Sequence, residues 1–392
     1  MVFDGLQMGG VERVGVDYAK LFYQKGYEVT IINLNPNLTE LENEFSMVND
    51  IVHIRFPRKF APEQYTQLVK RNYFCKFLYP FIYLVILIGN FLYKPFCKII
   101  FGLKKEYDIA IAFSGHFNDL TFIASNFVKA HKKIGWLHGA LYSYVLVSDG
   151  YLNLYRKIRN LVVLVEDAQE EVICYNKTFD LNIQKMYNPV FVQTRNINEV
   201  EIRKIKERCG KFMLMVSRFS YPHKDQFTVA KALEIVREKY GENINLVFVG
   251  SGPDEGKVKE YVLKLSQETQ KHIFFEGIRY DVQNYYKAAY MLVHASVAGE
   301  GLPTVMLEAL AYELPMVVTD SKVGPREILR DNEFGLLCHV QDPEDMAEKI
   351  YRLCQDNELY QSYRQRSKIR IKDFEPETIK KQLSKVIKKL VD

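Results

Sequence analysis

The sequence predicts an α/β chain built from two Rossmann-like domains. Its 392 residues exceed one ordinary core and fit two of about 190 each. Hydrophobic residues make up 48% and charged residues 26%, the balance of a globular protein. Short apolar runs alternate with helical stretches of ten to fifteen residues, the pattern of a parallel sheet with right-handed crossovers.

Met1-Val2-Phe3 reads as a very short opening strand before Asp4. Gly9-Gly10 follows, then a helix over 11–25 and a strand over 29–32. This is a β-loop-α-β unit whose paired glycines let backbone approach a ligand closely. The full Gly-x-Gly-x-x-Gly pattern is missing, which argues against a nicotinamide-type site. Further strands are expected at 109–113, 134–137 and 161–165. Tyr187-Asn188-Pro189-Val190 punctuates the chain, and the polar stretch 195–210 after it marks a boundary. Strands at 212–217, 244–250, 273–276, 291–295 and 315–319 then alternate with helices at 226–239, 254–268 and 282–289. A basic tail, 377–390, has a helical period. The expected domains are 1–188 and 189–370, with a closing helical segment in 371–392.

Six cysteines (Cys75, Cys97, Cys174, Cys209, Cys338, Cys354) have no Cys-x-x-Cys spacing, so they read as reduced thiols of a cytoplasmic protein. Asp4 and Gly9-Gly10 interrupt any apolar core of a signal peptide. The eight histidines form no metal-ligand cluster, and no nucleic-acid partner is expected.

The net charge of +5 is unevenly spread. Residues 55–105 hold ten basic residues (Arg55, Arg58, Lys59, Lys70, Arg71, Lys76, Lys94, Lys98, Lys104, Lys105) against Glu63 alone, which leaves the remainder at −4. Inside that window, 77–93 is uncharged and aromatic-rich. As a helix it would be about 26 Å long, short of a roughly 30 Å bilayer core, and Pro80, Gly89 and Asn90 weaken it as a span. Apolar residues flanked by lysines suit an element lying in the headgroup boundary of an anionic membrane, on the cytoplasmic face. The competing reading is a buried core helix.

The most pointed motif is Glu300-Gly301-Leu302-Pro303-Thr304, followed by Glu308. It lies between two apolar runs and so forms a strand-to-helix turn. Pro303 suits the first helical position, and the free N–H groups of Leu302 and Thr304 would seat an anion at the helix dipole. Carboxylates on either side suit the hydroxyls of a sugar or ribose. Arg218 ends a strand, and Lys224 follows six residues later; both are cations able to hold phosphate.

With Val216-Ser217-Arg218, Lys224-Asp225, Val249-Gly250-Ser251-Gly252-Pro253, Phe274-Phe275-Glu276-Gly277, Glu300-Gly301-Leu302-Pro303, Glu308-Ala309 and Gly324-Pro325-Arg326-Glu327, the chain resembles the retaining glycosyltransferases of the GT-B fold, glycosyltransferase family 4. The first half matches less, through Gly9-Gly10-Val11-Glu12-Arg13 and Trp136-Leu137-His138. The resemblance implies two Rossmann-like domains facing each other across a cleft, the first for the acceptor and the second for a nucleotide-sugar. The closing helix would return to the first domain.

Carried over residue by residue, Arg218 and Lys224 would clamp the diphosphate, Glu308 the ribose and Glu300 the donor sugar. Backbone from Gly301 to Thr304, through Leu302 and Pro303, would meet phosphate, with Gly252, Ile278 and Arg279 near the nucleotide. Gly9 and Gly10 would approach the transferred group, and His138 would stand near the reacting centre, with His116 a weaker candidate. Transfer would proceed with retention by front-face displacement, the leaving phosphate helping to deprotonate the acceptor. Without an Asp-x-Asp segment, no divalent ion or other cofactor is expected.

Ala298-Gly299 and Glu313 depart from the family pattern, the second as a helix-end variation. The expected activity is transfer from a UDP-sugar to a lipid-linked glycan in surface polysaccharide assembly. The alternatives are a nucleotide-sugar epimerase and a non-catalytic scaffold. The epimerase fits poorly with a membrane-binding segment, and a scaffold needs none of Arg218, Lys224, Glu300 and Glu308.

Overall fold

The computed structural model describes residues 1–57, 59–103, 105–139, 144, 148–166, 181–191 and 196–391. Arg58, Lys104 and Cys174, used in the charge and cysteine readings, lie outside these described residues. The chain divides into two units, Met1–Pro189 with Pro376–Asp392, and Val190–Glu375.

The first unit holds seven parallel strands: β1 (Val2–Phe3), β2 (Thr30–Asn33), β3 (Asp50–His53), β4 (Glu106–Ala112), β5 (Lys129–Leu137), β6 (Asn160–Val163) and β7 (Asn182–Lys185). Their order is β3-β2-β1-β4-β5-β6-β7. β1 is only two residues long but central. Val2 pairs with Ile32 on one side and Ala112 on the other, and Phe3 packs 5.7 Å from Phe45 and 5.3 Å from Phe113. Tyr18 of the helix Gly10–Gln24 extends this cluster to Trp136. Both edge strands escaped the sequence reading. β3 and β7 carry Asp50, His53, Asn182, Gln184 and Lys185, too polar for an apolar-run test. The helix Pro376–Val391 belongs to this unit, where Asn182 Nδ2 donates to Lys389 O at 3.0 Å.

A second correction concerns the uncharged run. It is part of a helix of 28 residues, Tyr73–Ile100, that continues through Pro80 and Pro95. Pro80 and Lys76 are both exposed, so the carbonyl that Pro80 leaves unpaired can meet solvent. Within the helix only Asn90 and Cys97 are buried, which overturns the buried-core alternative.

The second unit holds six parallel strands: β8 (Phe212–Val216), β9 (Asn245–Val249), β10 (Ile273–Phe275), β11 (Met291–His294), β12 (Met316–Thr319) and β13 (Leu336–Cys338). Their order is β10-β9-β8-β11-β12-β13. The strand order reverses between β8 and β11, and such switch points are where open α/β sheets bind ligands, at the strands' carboxyl ends. The helix expected over 254–268 is split into Glu255–Val262 and one turn, Gln267–Gln270, capped by Ser266 Oγ. Helix Thr304–Ala311 ends with Glu313 at φ 57°, a left-handed position that favours glycine. The Glu313 carboxylate pairs there with Lys368 and Arg364 at 3.4 and 3.6 Å.

Arg370 is the largest charged side chain in this interior, 1% exposed. Its Nε donates to Ile328 O at 3.0 Å, Nη2 to Glu327 O at 2.6 Å, and Nη1 pairs with Asp373 at 2.5 Å. Arg370→Met would remove the bonds to both carbonyls and to Asp373 and is expected to cost about 3 kcal/mol in urea denaturation. A loss under about 0.5 kcal/mol would show that these bonds do not hold the second unit together.

Candidate functional site

In the second unit, the loop after β8 is tied to the loop after β11. Pro222 O accepts from Val297 N and Ala298 N at 3.0 Å, and Asp225 N donates to Ala295 O at 2.9 Å. Asp225 also caps the helix Gln226–Glu238 through Thr228 N. Lys224 is thereby set against Glu300, with Nζ donating to Oε2 at 2.6 Å. Glu300 is held from behind by its own carbonyl, which accepts from Val323 N and Gly324 N at 2.9 and 3.0 Å.

His294, the last residue of β11, completes the group. Its Nε2 lies 3.0 Å from Glu300 Oε1 and 3.3 Å from Lys224 Nζ, and its side chain is buried. Burial and the neighbouring Lys224 lower its pKa, so the ring is neutral. Donation from Nε2 to Glu300 makes Nδ1 a bare acceptor, and that atom is buried without a partner among the described residues. Burial alone would raise the pKa of Glu300, but Lys224 and His294 outweigh it and hold it at about 2. Glu300 is therefore a permanent anion, suited to accepting hydroxyl hydrogen bonds and unable to act as an acid. Lys224 keeps further N–H donors for a ligand. Sequence reasoning missed His294 because it closes an apolar run. A histidine at that strand end was the available signal.

Arg218, past the end of β8, is exposed, and its guanidinium has no ion pair among the described residues. Gly252 allows the neighbouring loop to close up: a Cβ there would lie 2.3 Å from Phe219 O, and Ser251 O accepts from Phe219 N at 3.1 Å. Ile278 and Arg279 are exposed, but Arg279 is engaged with Glu276 at 2.7 Å. Pro303 is the cap rather than the first helical residue, and the helix begins at Thr304. Leu302 and Gly301 are buried, and Glu308 is half-buried one turn into that helix.

In the first unit Gly9 caps the helix that Gly10 begins. A Cβ on Gly10 would meet nothing, whereas one on Gly9 would strike Glu12 Oε2 at 2.4 Å. His138 donates from Nε2 to Phe113 O at 2.6 Å, and burial drives its pKa down to about 4. It is neutral, with one nitrogen already committed.

His116 is better placed than the sequence suggested. Its Nδ1 lies 3.3 Å from Asp4 Oδ2, and Asn118 Nδ2 donates to Asp4 Oδ1 at 2.7 Å. Asp119 accepts from Gly115 N and His116 N at 2.9 and 2.8 Å, and burial pushes its pKa up to about 7. Burial works to lower the His116 pKa, but Asp4, Asp119 and Glu12 outweigh it and raise it. Asp4, Glu12, Asn118 and Asp119 were not among the site residues expected from the sequence. Only the adjacency of β1 and β4 brings them together. Among the described residues, His339, Asp342 and Asp345 also cluster, but Asp342 caps a helix and Asp345 pairs with Lys349 and His339.

The family model described as glycosyl transferases group 1 matches residues 198–370, which enclose this switch point. Over these residues the chain is similar to the group 1 glycosyltransferases. An uncharacterized glycosyltransferase of Haemophilus influenzae is 26% identical over 381 residues, covering 95% of this chain and 94% of the relative. A Campylobacter jejuni enzyme, N-acetylgalactosamine-N,N'-diacetylbacillosaminyl-diphospho-undecaprenol 4-alpha-N-acetylgalactosaminyltransferase, is 28% identical over 48% of this chain and 49% of its own. The amylovoran biosynthesis glycosyltransferase AmsD of Erwinia amylovora is 26% identical over 45% of this chain and 47% of its own. Among solved structures, Anabaena HepE in complex with UDP and glucose superposes with a TM-score of 0.74 at 16% identity, over 99% of this chain and 98% of that one. The glycosyltransferase WaaG superposes at 0.63 and 13% identity, over 99% of both chains. These structures establish the GT-B fold.

Lys224→Met tests the electrostatics of the group. Wild-type Glu300 has a folded pKa of about 2 against an ordinary 4.5, so its stabilisation is full above pH 4.5 and is lost as pH falls towards 2. Without Lys224 the part-buried carboxylate loses its main cation, and the variant is expected to be about 3 kcal/mol less stable at pH 7. That gap narrows towards pH 4, where the orphaned Glu300 takes up a proton. Denaturation curves with a constant gap from pH 7 to 4 would contradict the pairing.

Proposed function

We propose that this glycosyltransferase moves a sugar, with retention at the anomeric carbon, from a UDP-sugar to a lipid-linked glycan. Its place is surface polysaccharide assembly of the capsule, exopolysaccharide or O-antigen type, at the inner face of the cell membrane. The observation that carries the donor half is the part-buried Lys224–Glu300 pair at the β8–β11 switch point, with Arg218 exposed and without an ion pair among the described residues. A diphosphate gains negative charge as the glycosidic bond breaks, and Arg218 and Lys224 supply preorganised positive charge. The start of the helix Thr304–Ala311 adds its dipole, so this reading assigns the charge stabilisation to protein groups rather than to a metal. Glu300, fixed as an anion, accepts hydroxyls of the donor sugar; Glu308 takes the ribose.

UDP is favoured by the UDP complexes of HepE, and the lipid-linked acceptor by the diphospho-undecaprenol named for the Campylobacter enzyme. The exposed apolar helix Tyr73–Ile100 fits an acceptor held in a membrane.

Thermal-shift titration with UDP, GDP and NAD, on wild type and on Arg218→Ala, tests the donor half. At a hundredfold its dissociation constant UDP should stabilise the protein by about 2.7 kcal/mol, and Arg218→Ala should abolish most of the shift. NAD should give none. A shift with GDP alone would replace the proposed carrier. No shift with either nucleotide would favour the scaffold reading.

A further inference from the structure

The helix Tyr73–Ile100 has two faces that its composition conceals. Tyr79, Tyr83, Asn90, Tyr93 and Cys97 recur three, four or seven apart and turn towards the first unit. Asn90 Nδ2 donates to Phe60 O at 2.9 Å and Tyr93 OH to Arg55 O at 2.7 Å. At Gly89 the missing side chain lets the Phe60 ring approach, since a Cβ would lie 3.3 Å from it. The opposite face is Phe77, Phe81, Leu84, Val85, Ile88 and Phe91, with exposures of 51–76%. At 100° per residue, Lys76, Lys94 and Lys98 fall on one flank between these faces. None of them has an ion pair among the described residues, and no acid occurs from 73 to 100.

A continuous apolar stripe of this size on a water-soluble surface calls for an occupant. A second copy would bring cations against cations across the contact, with no acid on the helix to pair them. A transmembrane placement would tear Asn90 and Tyr93 from their partners and put Lys94 in hydrocarbon. An anionic bilayer surface satisfies both features: the stripe enters the acyl boundary while lysine stems reach up to lipid phosphate.

We propose that Tyr73–Ile100 is a monotopic membrane anchor, lying flat in the headgroup layer of an anionic bilayer with Phe77, Phe81, Leu84, Ile88 and Phe91 inserted. The anchor deepens the lipid-linked acceptor reading and rests on it for its purpose, while its geometry stands apart from the donor site.

The test is co-sedimentation of the purified full chain with vesicles of phosphatidylcholine, with and without about 30% of the anionic lipid phosphatidylglycerol. Wild type should bind the anionic vesicles at least about tenfold better than the neutral ones. Lys94→Gln with Lys98→Gln should reduce that preference, and Phe81→Glu with Ile88→Glu should abolish binding. Both altered pairs leave the Asn90 and Tyr93 bonds intact, so each variant should keep the wild-type UDP thermal shift. The proposal is overturned if wild type ignores anionic vesicles, or if Phe81→Glu with Ile88→Glu binds as wild type does. It is also overturned if sedimentation velocity finds a dimer that those glutamates break, or if bound protein resists extraction at alkaline pH as a spanning helix does. Vesicle binding without any nucleotide shift would sink the donor reading and leave the anchor standing.

Discussion

The second unit is organised around a charged pair that it would be cheaper to leave in water. Glu300 and Lys224 are only 12% and 22% exposed, and desolvating both ions costs several kcal/mol before their attraction returns any of it. Such pairs are weak sources of stability, yet three separate features hold this one in place. The 222–225 loop is bonded to the 295–298 loop, the Glu300 carbonyl is bonded to Val323 and Gly324, and His294 closes the third side. The first depends on β8 and β11 being neighbours and the second on β12 lying beside β11, while His294 ends β11 itself. Ionisable groups fixed this firmly at a sheet's ligand-binding edge are better explained by a bound substrate than by folding.

The two sheets share a plan and differ in chemistry. In each, the third, second and first strands precede the fourth, so each has a switch point between its first and fourth strands. In the second unit that point carries Arg218 and Lys224, the cations a diphosphate needs. In the first it carries Asp4, His116 and Asp119, a cluster of titratable groups bonded to one another. The first unit also bears the apolar helix, so features suited to a phosphorylated soluble molecule and to a lipid surface are divided between them.

Most of the second unit was legible because its signals are local. The buried strands are unbroken apolar runs, and Arg218, Lys224, Glu300 and Glu308 stand in loops or helix starts at recognisable spacing. Less of the first unit could be read. β3 and β7 lie at the sheet edges, where one-sided burial leaves no apolar run. Asp4 and His116 are 112 positions apart, and only the pairing of β1 with β4 joins them. The helix Tyr73–Ile100 announced its apolarity, but a seam of tyrosines inside an apolar run gives little contrast. Its two faces emerged from Asn90, Tyr93 and their partners. Pro303 stands one position earlier than expected, as the cap of the helix that Thr304 begins.

We propose that a nucleoside diphosphate sits at the β8–β11 switch point. Hydrogen exchange read by mass spectrometry, with and without saturating UDP, tests it most directly. Slowed exchange is expected in peptides covering 216–224, 250–253, 277–280 and 300–308, with the outer strands β12 and β13 unchanged. Protection that avoids these loops, or UDP that binds while 216–224 and 300–308 exchange as before, would contradict it.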